Sequence, residues 1–461
     1  MPYSNLVQDD FIRSLFANAM SAMYREEVPL YGTLLEIVDA VNSEVLEAKP
    51  AMTFELARHD ELARLSQEYH GAIRLGRPDE LAMMRRLFAV MGMYPVGYYD
   101  LTMAGVPVHA TAFRPLRPGK LNKNPFRIFT SLLRPELIDD ADIRDEIDRR
   151  LAARRIFPEA TISLIEKFEH EGGLDESEAR LFVASALEIF RWHSEVNVDV
   201  ALYNRLHNAH RLVADIVCFN GPHINHLTPR TLDIDAAQRK MLARGMQAKD
   251  LIEGPPARAH PILLRQTSFK ALDEPVRFVD GNKTQSGTHT ARFGEIEQRG
   301  MALTPKGRQL YDELLAEARE EPKAYDARLS SAFERFPDDL CTLRREGLGY
   351  FEYRLSSTAE INGYEPDDVE SLVAAGLVDA FPITYEDFLP VSAAGIFQSN
   401  LGDQGPKSYS AAAAQLAFEA ILGTPVADPF ELYAERQQQS IEQVRRKLSQ
   451  ARRMALGRAD A

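Results

Sequence analysis

The stretch EYHGAIRLG, residues 68–76, places His70 four positions before Arg74 among small and apolar neighbours. Glycines bracket the segment and a proline follows it, which favours a short strand. Side chains at positions i and i+4 of a strand share a face. We therefore expect the imidazole and the guanidinium to point the same way.

An ordered set of elements follows this strand. The predicted strand at 70–75 is followed by a predicted helix at 78–93. Three further segments show the alternation of apolar and polar residues, or the short continuous apolar run, that is typical of strands. These three predicted strands cover residues 96–101, 106–115 and 126–134. The first unit therefore reads strand, helix, strand, strand, strand.

The same order returns later in the chain. It comprises strand-like residues within 212–230 that end at His226, a helix at 233–247, and strands at 260–269, 275–279 and 288–300. Two such units that face each other form an open, curved sheet around a central pocket. We therefore predict an α+β fold with two strand-helix-strand-strand-strand units around a pocket and with large helical additions.

We interpret the whole chain, 1–461, as one compact catalytic unit. Its predicted parts are a first β-rich module at 60–134, a helical insertion at 135–211, a second β-rich module at 212–300, and a mixed C-terminal region with a helical tail at 301–461.

Composition and charge exclude several classes of protein. The net charge of −14 argues against a general nucleic-acid binder or an anionic-membrane binder, which need a basic face. Two cysteines are too few for a disulfide framework or a cysteine-rich zinc site. Charged residues interrupt the first apolar stretch, unlike a secretory signal, and no apolar run approaches the ~18 residues that span a bilayer. We expect a cytoplasmic protein; its oligomeric state is not indicated.

Three residues of the ligand type fall on the two repeated units. His70 opens the first strand of the first unit, His226 closes the corresponding strand of the second, and Glu295 lies on the last strand of the second. Two histidines and one carboxylate form the facial triad that favours Fe(II) with open coordination positions. Zinc with a catalytic water is chemically compatible with the same three residues.

Other histidines compete with this set. His289 and Glu295 lie six positions apart on one expected strand face, so a site built on His289 stays open. His223 lies three positions before His226 and is expected to face the other way, and His109 also lies on an expected strand.

Seven longer blocks of the chain resemble the bacterial 2-oxoadipate dioxygenase/decarboxylase family, over roughly residues 10–435. The blocks are AMSAMYREEVPLYGTLLEIV, HGAIRLG, MGMYPVGYYDL, HINHLTPRTLDID, ILLRQTSFKAL, GTHTARFGEIEQRG and FLPVSAAGIFQSNLG. The resemblance implies a core similar to the vicinal oxygen chelate fold, in agreement with the repeated element order.

The resemblance also implies roles for individual residues. It implies Fe(II) ligation by His70, His226 and Glu295, and binding of a substrate carboxylate by Arg74. The substrate would lie against His70, Arg74 and His226, with Val391 of the segment PVSAAG near it and helping to close the pocket.

The implied reaction converts 2-oxoadipate and O2 to 2-hydroxyglutarate and CO2 in lysine breakdown, by oxidative decarboxylation and intramolecular hydroxylation. The partners are thus a small 2-oxo dicarboxylic acid and O2. One alternative is a metal-dependent isomerase or lyase of the same fold that acts on a 2-oxo acid without O2. Another is a non-enzymatic metabolite-binding protein in which the three ligand-type residues are structural.

Overall fold

Three helices precede the first strand, a mostly helical stretch separates two strand-rich stretches, and helices dominate beyond residue 300. The computed structural model describes residues 6–58, 61–280, 283–319, 325–356, 368–389 and 411–459. The strands are β1 (Tyr69–Leu75), β2 (Tyr94–Asp100), β3 (Val108–Arg114), β4 (Arg127–Leu133), β5 (Glu195–Val196), β6 (His226–Pro229), β7 (Leu264–Ser268), β8 (Asp273–Asp280), β9 (Lys283–Thr290), β10 (Phe293–Arg299), β11 (Phe351–Leu355) and β12 (Val378–Pro382).

The α-helices are α1 (Asp9–Glu27), α2 (Pro29–Ala48), α3 (Pro50–Arg58), α4 (Pro78–Val90), α5 (Pro118–Lys123), α6 (Ala141–Ala153), α7 (Glu159–Glu171), α8 (Glu176–Leu187), α9 (Val200–Ala209), α10 (Arg211–Val217), α11 (Ile234–Ala243), α12 (Pro305–Arg319), α13 (Tyr325–Phe333), α14 (Leu340–Arg345), α15 (Val369–Ala374), α16 (Ala411–Leu422) and α17 (Pro429–Ala459).

Within the described ranges, seven strands form the main sheet, in the spatial order β2-β3-β4-β1-β6-β10-β7. The central strand β1 pairs in parallel with β4 and antiparallel with β6. Strands from both predicted units therefore lie side by side in one sheet, and β1 and β6 are the strands at which the units meet.

The first unit has the predicted order β1-α4-β2-β3-β4, with the short helix α5 added between β3 and β4. Its helix starts where the sequence indicates, with Pro78 at the first helical position. The Glu80 carboxylate accepts from the backbone N–H of Gly76 at 2.9 Å and of Arg77 at 3.2 Å. These bonds satisfy backbone donors at the junction between β1 and α4, where the chain reverses direction.

The second unit departs from the prediction in its last strands. It contributes β6, β7 and β10 to the main sheet, while β8 and β9 form a separate three-stranded sheet with β5. The strand predicted at 288–300 is two strands, since β9 ends at Thr290 and β10 begins at Phe293. Between them, the Arg292 guanidinium pairs with Glu27 and Glu274 and thereby fixes the turn from one sheet to the other.

The strand predicted to end at His226 is also wrong in its bounds. Residues Arg211–Val217 form helix α10, and His226 is the first residue of β6. A short apolar run does not distinguish a strand from a buried helix by its periodicity. The His210 Nδ1 atom accepts from the backbone N–H of Leu212 at 3.1 Å and caps this helix.

The two faces of the main sheet pack against different partners. Ile73 and Leu75 of β1 belong to a large apolar cluster that includes side chains of α1, α2 and α4. Ala72, on the other face, packs in a second cluster with Phe129 and Phe388. Because neighbouring residues of a strand alternate, His70 and Arg74 lie on the face of Ala72.

The described chain divides into two compact units. One contains the described residues of Met1–Glu253, Gln266–Gln298 and Phe388–Val426, and the other contains Gly254–Arg265, Arg299–Asp387 and Ala427–Ala461. In the second unit, α17 lies along β11, where Gln437 and Ser440 accept from strand N–H groups at 2.8 and 3.0 Å. The predicted division into modules stays a prediction.

The α+β class, with a central sheet to which both predicted units contribute and with large helical additions, is confirmed. Residues 135–211 contain the predicted helices, α6 to α9. Among the described residues, no helix combines the length and the apolar character needed to cross a membrane.

The buried Tyr24 of α1 contacts the backbone at the starts of β6 and β10. Its hydroxyl lies 2.7 Å from the Phe293 carbonyl and 3.0 Å from the Asn225 carbonyl. We expect Tyr24→Phe to lower the free energy of unfolding by about 1–2 kcal/mol, because the two buried carbonyls lose a shared donor. Tyr31→Phe is the matched control, since that buried hydroxyl has a single 3.4 Å contact with Ser21. Urea titration of both variants checks this, and equal losses would contradict it.

Candidate metal centre

Three adjacent strands bring His70, His226 and Glu295 together. In the antiparallel pair of β1 and β6, His70 lies opposite Thr228 and Ala72 opposite His226. In the parallel pair of β6 and β10, His226 lies beside Phe293. Residues opposite one another share a face, so the side chains of His70, His226 and Glu295 project from the same side of the sheet.

The three side chains are fully buried and close enough to share one ion. The Glu295 Oε2 atom lies 3.4 Å from His226 Nε2 and 3.7 Å from His70 Nε2. The two imidazole rings are almost perpendicular, with centroids 5.7 Å apart. One ligand atom of each residue lies within 4.8 Å of the other two, and within the described ranges no other group of three such residues meets this limit.

Several polar atoms of this cluster lack a hydrogen-bond partner among the described residues. They are both ring nitrogens of His226, the Nε2 atom of His70 and the Oε1 atom of Glu295. Leaving a buried polar group unsatisfied costs about 1–3 kcal/mol. A cation bound between the three side chains would satisfy the Nε2 atoms of His70 and His226 and a carboxylate oxygen of Glu295, so the donor set fits a divalent metal ion.

Neighbouring side chains orient two of the three candidate ligands. Thr228 Oγ1 donates to Glu295 Oε2 at 3.1 Å. His70 Nδ1 lies 3.1 Å from Glu297 Oε2, on the side of the ring away from Glu295. A carboxylate beside the second ring nitrogen is the usual support of a metal-ligating histidine.

The charges of the cluster respond to burial and to each other. Burial holds the pKa of His226 well below its usual value, and His70 and Arg74 lower it further. Burial raises the pKa of Glu295, although His70 opposes this effect. For His70, burial lowers the pKa, but Glu297 and Glu295 outweigh it and the net pKa is raised. The His226 imidazole is therefore held neutral, the form in which it binds a metal ion.

Arg74 lies on the same strand face and is anchored by Asp215 of α10. The Arg74 Nη1 atom donates to Asp215 Oδ2 at 2.6 Å, and both side chains are almost completely buried. Burial alone would raise the pKa of Asp215, but Arg74 and His223 hold it well below its usual range. The anchor is thus a charged carboxylate that fixes the direction of the guanidinium.

The competing histidines occupy other places. His223 Nε2 and His289 Nε2 lie 3.2 and 3.0 Å from Asp215 Oδ1, so both support the anchor of Arg74. His289 lies on β9 and does not share a strand with Glu295, which removes the reason for a site built on that pair. His109 contacts Phe418 of the apolar cluster on the opposite face of the sheet.

Aromatic rings lie against the two histidines. The Phe388 ring centroid is 4.8 Å from that of His70, and the Phe293 centroid is 4.8 Å from that of His226. Phe129 packs against Phe388 at 5.5 Å. The cluster is thus apolar on these sides. Val391, the remaining residue that the resemblance implies, lies outside the described residues.

Sequence reasoning missed two charged residues of this region. Asp215 lies within the run predicted from the sequence as a strand, and in the structure helix α10 carries it to a position where its carboxylate pairs with Arg74. Glu68 lies two residues before His70 and accepts from Arg64, Arg127 and Arg230, each at 2.9 Å. Glu68 lies just before β1, and its partners Arg127 and Arg230 are distant in sequence, so no local pattern indicates this cluster.

The chain is similar to known proteins along most of its length. The family model described as 2-oxoadipate dioxygenase/decarboxylase matches residues 16–400. A 2-oxoadipate dioxygenase/decarboxylase of Escherichia coli (strain K12) is 54% identical over 442 residues, 95% of this chain and 98% of the relative. One from Pseudomonas putida is 53% identical over 454 residues, 96% of this chain and 98% of the relative.

A solved structure extends the similarity to the fold. The crystal structure of the hydroxyglutarate synthase from Pseudomonas putida in complex with 2-oxoadipate has a TM-score of 0.89 to this chain and 50% identity. The match covers 97% of this chain and all of that chain. By family model, by sequence identity along almost its full length, and by fold, the chain belongs to the 2-oxoadipate dioxygenase/decarboxylase family, whose members are dioxygenases.

Proposed function

We propose that this protein converts 2-oxoadipate and O2 to 2-hydroxyglutarate and CO2, with Fe(II) bound by His70, His226 and Glu295. The observation that carries the proposal is the buried cluster of two imidazoles and one carboxylate with unsatisfied ligand atoms. The equation balances, because one oxygen atom of O2 enters the new carboxylate and the other enters the new hydroxyl group. The place of this reaction in lysine breakdown stays a prediction.

The donor set supports iron as the metal. Two neutral imidazoles and one carboxylate are the ligands of the facial triad, which leaves coordination positions open. Bound Fe(II) would supply these positions for a chelating 2-oxo acid and for O2. The protein's own contribution is to hold the three ligand atoms within 4.8 Å of one another and to support them through Thr228 and Glu297.

Arg74 is the proposed binding group for a substrate carboxylate. It lies four residues from His70 on the same face, roughly 13 Å along the strand at ~3.3 Å per residue. The Arg74 charge lowers the pKa of His226, so the guanidinium lies near the ligand cluster. An elongated dicarboxylate can therefore span from the metal ligands to the guanidinium. A guanidinium matches a carboxylate with paired N–H donors, and Asp215 holds its orientation before the substrate arrives.

The substrate class rests on a relative. The Pseudomonas putida hydroxyglutarate synthase, 50% identical to this chain, was crystallised in complex with 2-oxoadipate. Conservation of fold at this identity supports the same class of substrate here. The rings of Phe293 and Phe388 would exclude water from the reacting end of the acid, and Val391 is proposed to help close the pocket.

Removal of one proposed ligand tests the metal and the reaction together. We expect wild-type protein to bind about one Fe(II) per chain and to consume O2 when 2-oxoadipate is added, with CO2 and 2-hydroxyglutarate as products. His226→Ala should lose both properties, since two ligands rarely hold the ion. Anaerobic titration followed by thermal melting measures binding, and an oxygen electrode with mass spectrometry measures the reaction.

His109→Ala is the matched control for this experiment. It removes another buried imidazole of the same sheet, on the opposite face, and should leave metal binding and O2 uptake intact. Metal binding without O2 uptake, together with isomerisation or cleavage of a 2-oxo acid, would favour the alternative isomerase or lyase. Fe(II) binding that survives in His226→Ala would remove the proposed ligand set.

Replacement of Arg74 tests recognition of the second carboxylate. We expect Arg74→Met to lower kcat/KM for 2-oxoadipate by roughly 10- to 100-fold, because a charge-assisted hydrogen bond contributes about 1.5–3 kcal/mol. The same variant should process the monoacid 2-oxohexanoate about as well as the wild type does. Steady-state O2 uptake with both acids gives the two ratios.

Arg436→Met serves as the control for loss of a part-buried guanidinium. Arg436 pairs with Glu352 at 2.8 Å within the second compact unit. This variant should leave both kcat/KM values unchanged. An equal loss of activity toward the two acids in Arg74→Met would assign Arg74 to the structure and not to substrate recognition.

A further inference from the structure

Strand β7 places two polar side chains beside the candidate metal ligands. The Phe269 N–H donates to the Gly294 carbonyl at 3.0 Å, and the Gly300 N–H donates to the Leu263 carbonyl at 2.7 Å. In an antiparallel ladder these two bonds set Ser268 opposite Glu295, and Gln266 opposite Glu297. Both are non-hydrogen-bonded pairs, in which the Cα atoms lie about 4.5 Å apart and the side chains approach closely.

The packing of Gly294 gives an independent check of this register. A Cβ atom on Gly294 would lie 2.2 Å from the Phe269 ring, so these two positions share a face. That face belongs to the apolar cluster that contains Phe269. By alternation, Ser268 and Glu295 share the opposite face, where His70 and His226 lie.

The polar atoms of these side chains are buried and unsatisfied. Gln266 is 1% exposed and Ser268 is completely buried. Neither the Nε2 and Oε1 atoms of Gln266 nor the Oγ atom of Ser268 has a hydrogen-bond partner among the residues that the structure describes. A folded chain rarely leaves three such atoms side by side, and unsatisfied groups of this kind mark sites that a ligand completes.

The geometry points to Gln266 and Ser268 as binding residues for the 2-oxo acid end of the substrate. This inference rests on the proposed function. In the sheet, β7 lies on the far side of β10 from β1, which carries Arg74. A dicarboxylate whose distal group reaches Arg74 therefore presents its other end, with the keto and carboxylate oxygens, to β10 and β7. The Gln266 amide and the Ser268 hydroxyl can both donate to these oxygens.

Gln266→Leu and Ser268→Ala separate this role from a structural one. A residue that stabilises the fold by its hydrogen bonds destabilises the protein when it is replaced. Since these polar atoms have no hydrogen-bond partner to lose among the described residues, we expect both variants to melt at or above the wild-type temperature without substrate. Each should also bind 2-oxoadipate roughly 10- to 100-fold more weakly, because the oxygens of an anion lose a donor.

Gln298→Leu is the matched control on the neighbouring strand. The Gln298 side chain accepts from the Ile234 N–H at 3.2 Å and donates to the Leu232 carbonyl at 3.2 Å. This variant should show the reverse pattern, with a lower melting temperature and an unchanged affinity for 2-oxoadipate. Melting of the Fe(II)-loaded protein under anaerobic conditions, with and without 2-oxoadipate, gives both readouts, and KM gives a third.

These measurements distinguish a failure of the roles proposed for Gln266 and Ser268 from a failure of the proposed reaction. If Gln266→Leu and Ser268→Ala bind 2-oxoadipate like the wild type while Arg74→Met does not, the inference fails and the proposed function stands. If both variants melt well below the wild type, the two residues bind a buried water or a protein group, and the inference is overturned. A wild-type protein that neither binds nor consumes 2-oxoadipate overturns both.

Discussion

The antiparallel pairing of β1 with β6 is the constraint on which the candidate site depends. A slip of one residue in this pairing would turn His226 to the opposite face of the sheet, because side chains alternate with a period of two. Gly71 permits the close fit, since a Cβ atom there would lie 2.6 Å from Ile224 Cδ1 and 3.2 Å from the His226 carbonyl. The Asn225 N–H donates to the Ala72 carbonyl at 3.0 Å and continues the pairing beyond the strand. The register is thus fixed from both sides of His226.

His70, Glu295 and Arg74 each have a neighbouring polar side chain that fixes their orientation. Glu297 lies beside His70, Thr228 donates to Glu295, and Asp215 anchors Arg74. Each partner limits the directions available to a long side chain, and this lowers the conformational entropy that metal or substrate binding would otherwise remove. Three guanidiniums keep the buried carboxylate of Glu68 compensated: that of Arg127 on β4, that of Arg230 directly after β6, and that of Arg64 four residues before Glu68. Preorganisation is therefore built into the chain before any ligand is present.

Sequence reasoning predicted the first unit closely and the second unit less well, for physical reasons. The β1-α4 junction carries local signals, a proline and an acidic first turn, that act within a few residues. The run 212–217 has neither a proline nor an acidic first turn, and its cap is the imidazole of His210, which is not among the residue types that usually begin a helix. The break between β9 and β10 depends on ion pairs of Arg292 with residues far away in sequence, and no local pattern records them. His70, His226 and Glu295 could be selected from the sequence because they lie on strands of two units with the same order of elements. Asp215 could not be selected, because its contact with Arg74 spans 141 residues and no repeated pattern includes it.

The sheet divides stability and chemistry between its two faces. On one face, apolar residues such as Ile73 and Phe269 pack in the large cluster that includes α1, α2 and α4, and burial of that kind supplies most of the free energy of folding. On the other face, polar atoms of His226, Glu295 and Gln266 stay buried without partners among the described residues, which costs stability. The free energy of apolar burial on the first face offsets this cost, because the same strands contribute residues to both faces. A sheet built in this way can hold unsatisfied ligand atoms in a fixed geometry until a metal ion and an acid complete them, and that geometry is the condition for the proposed reaction.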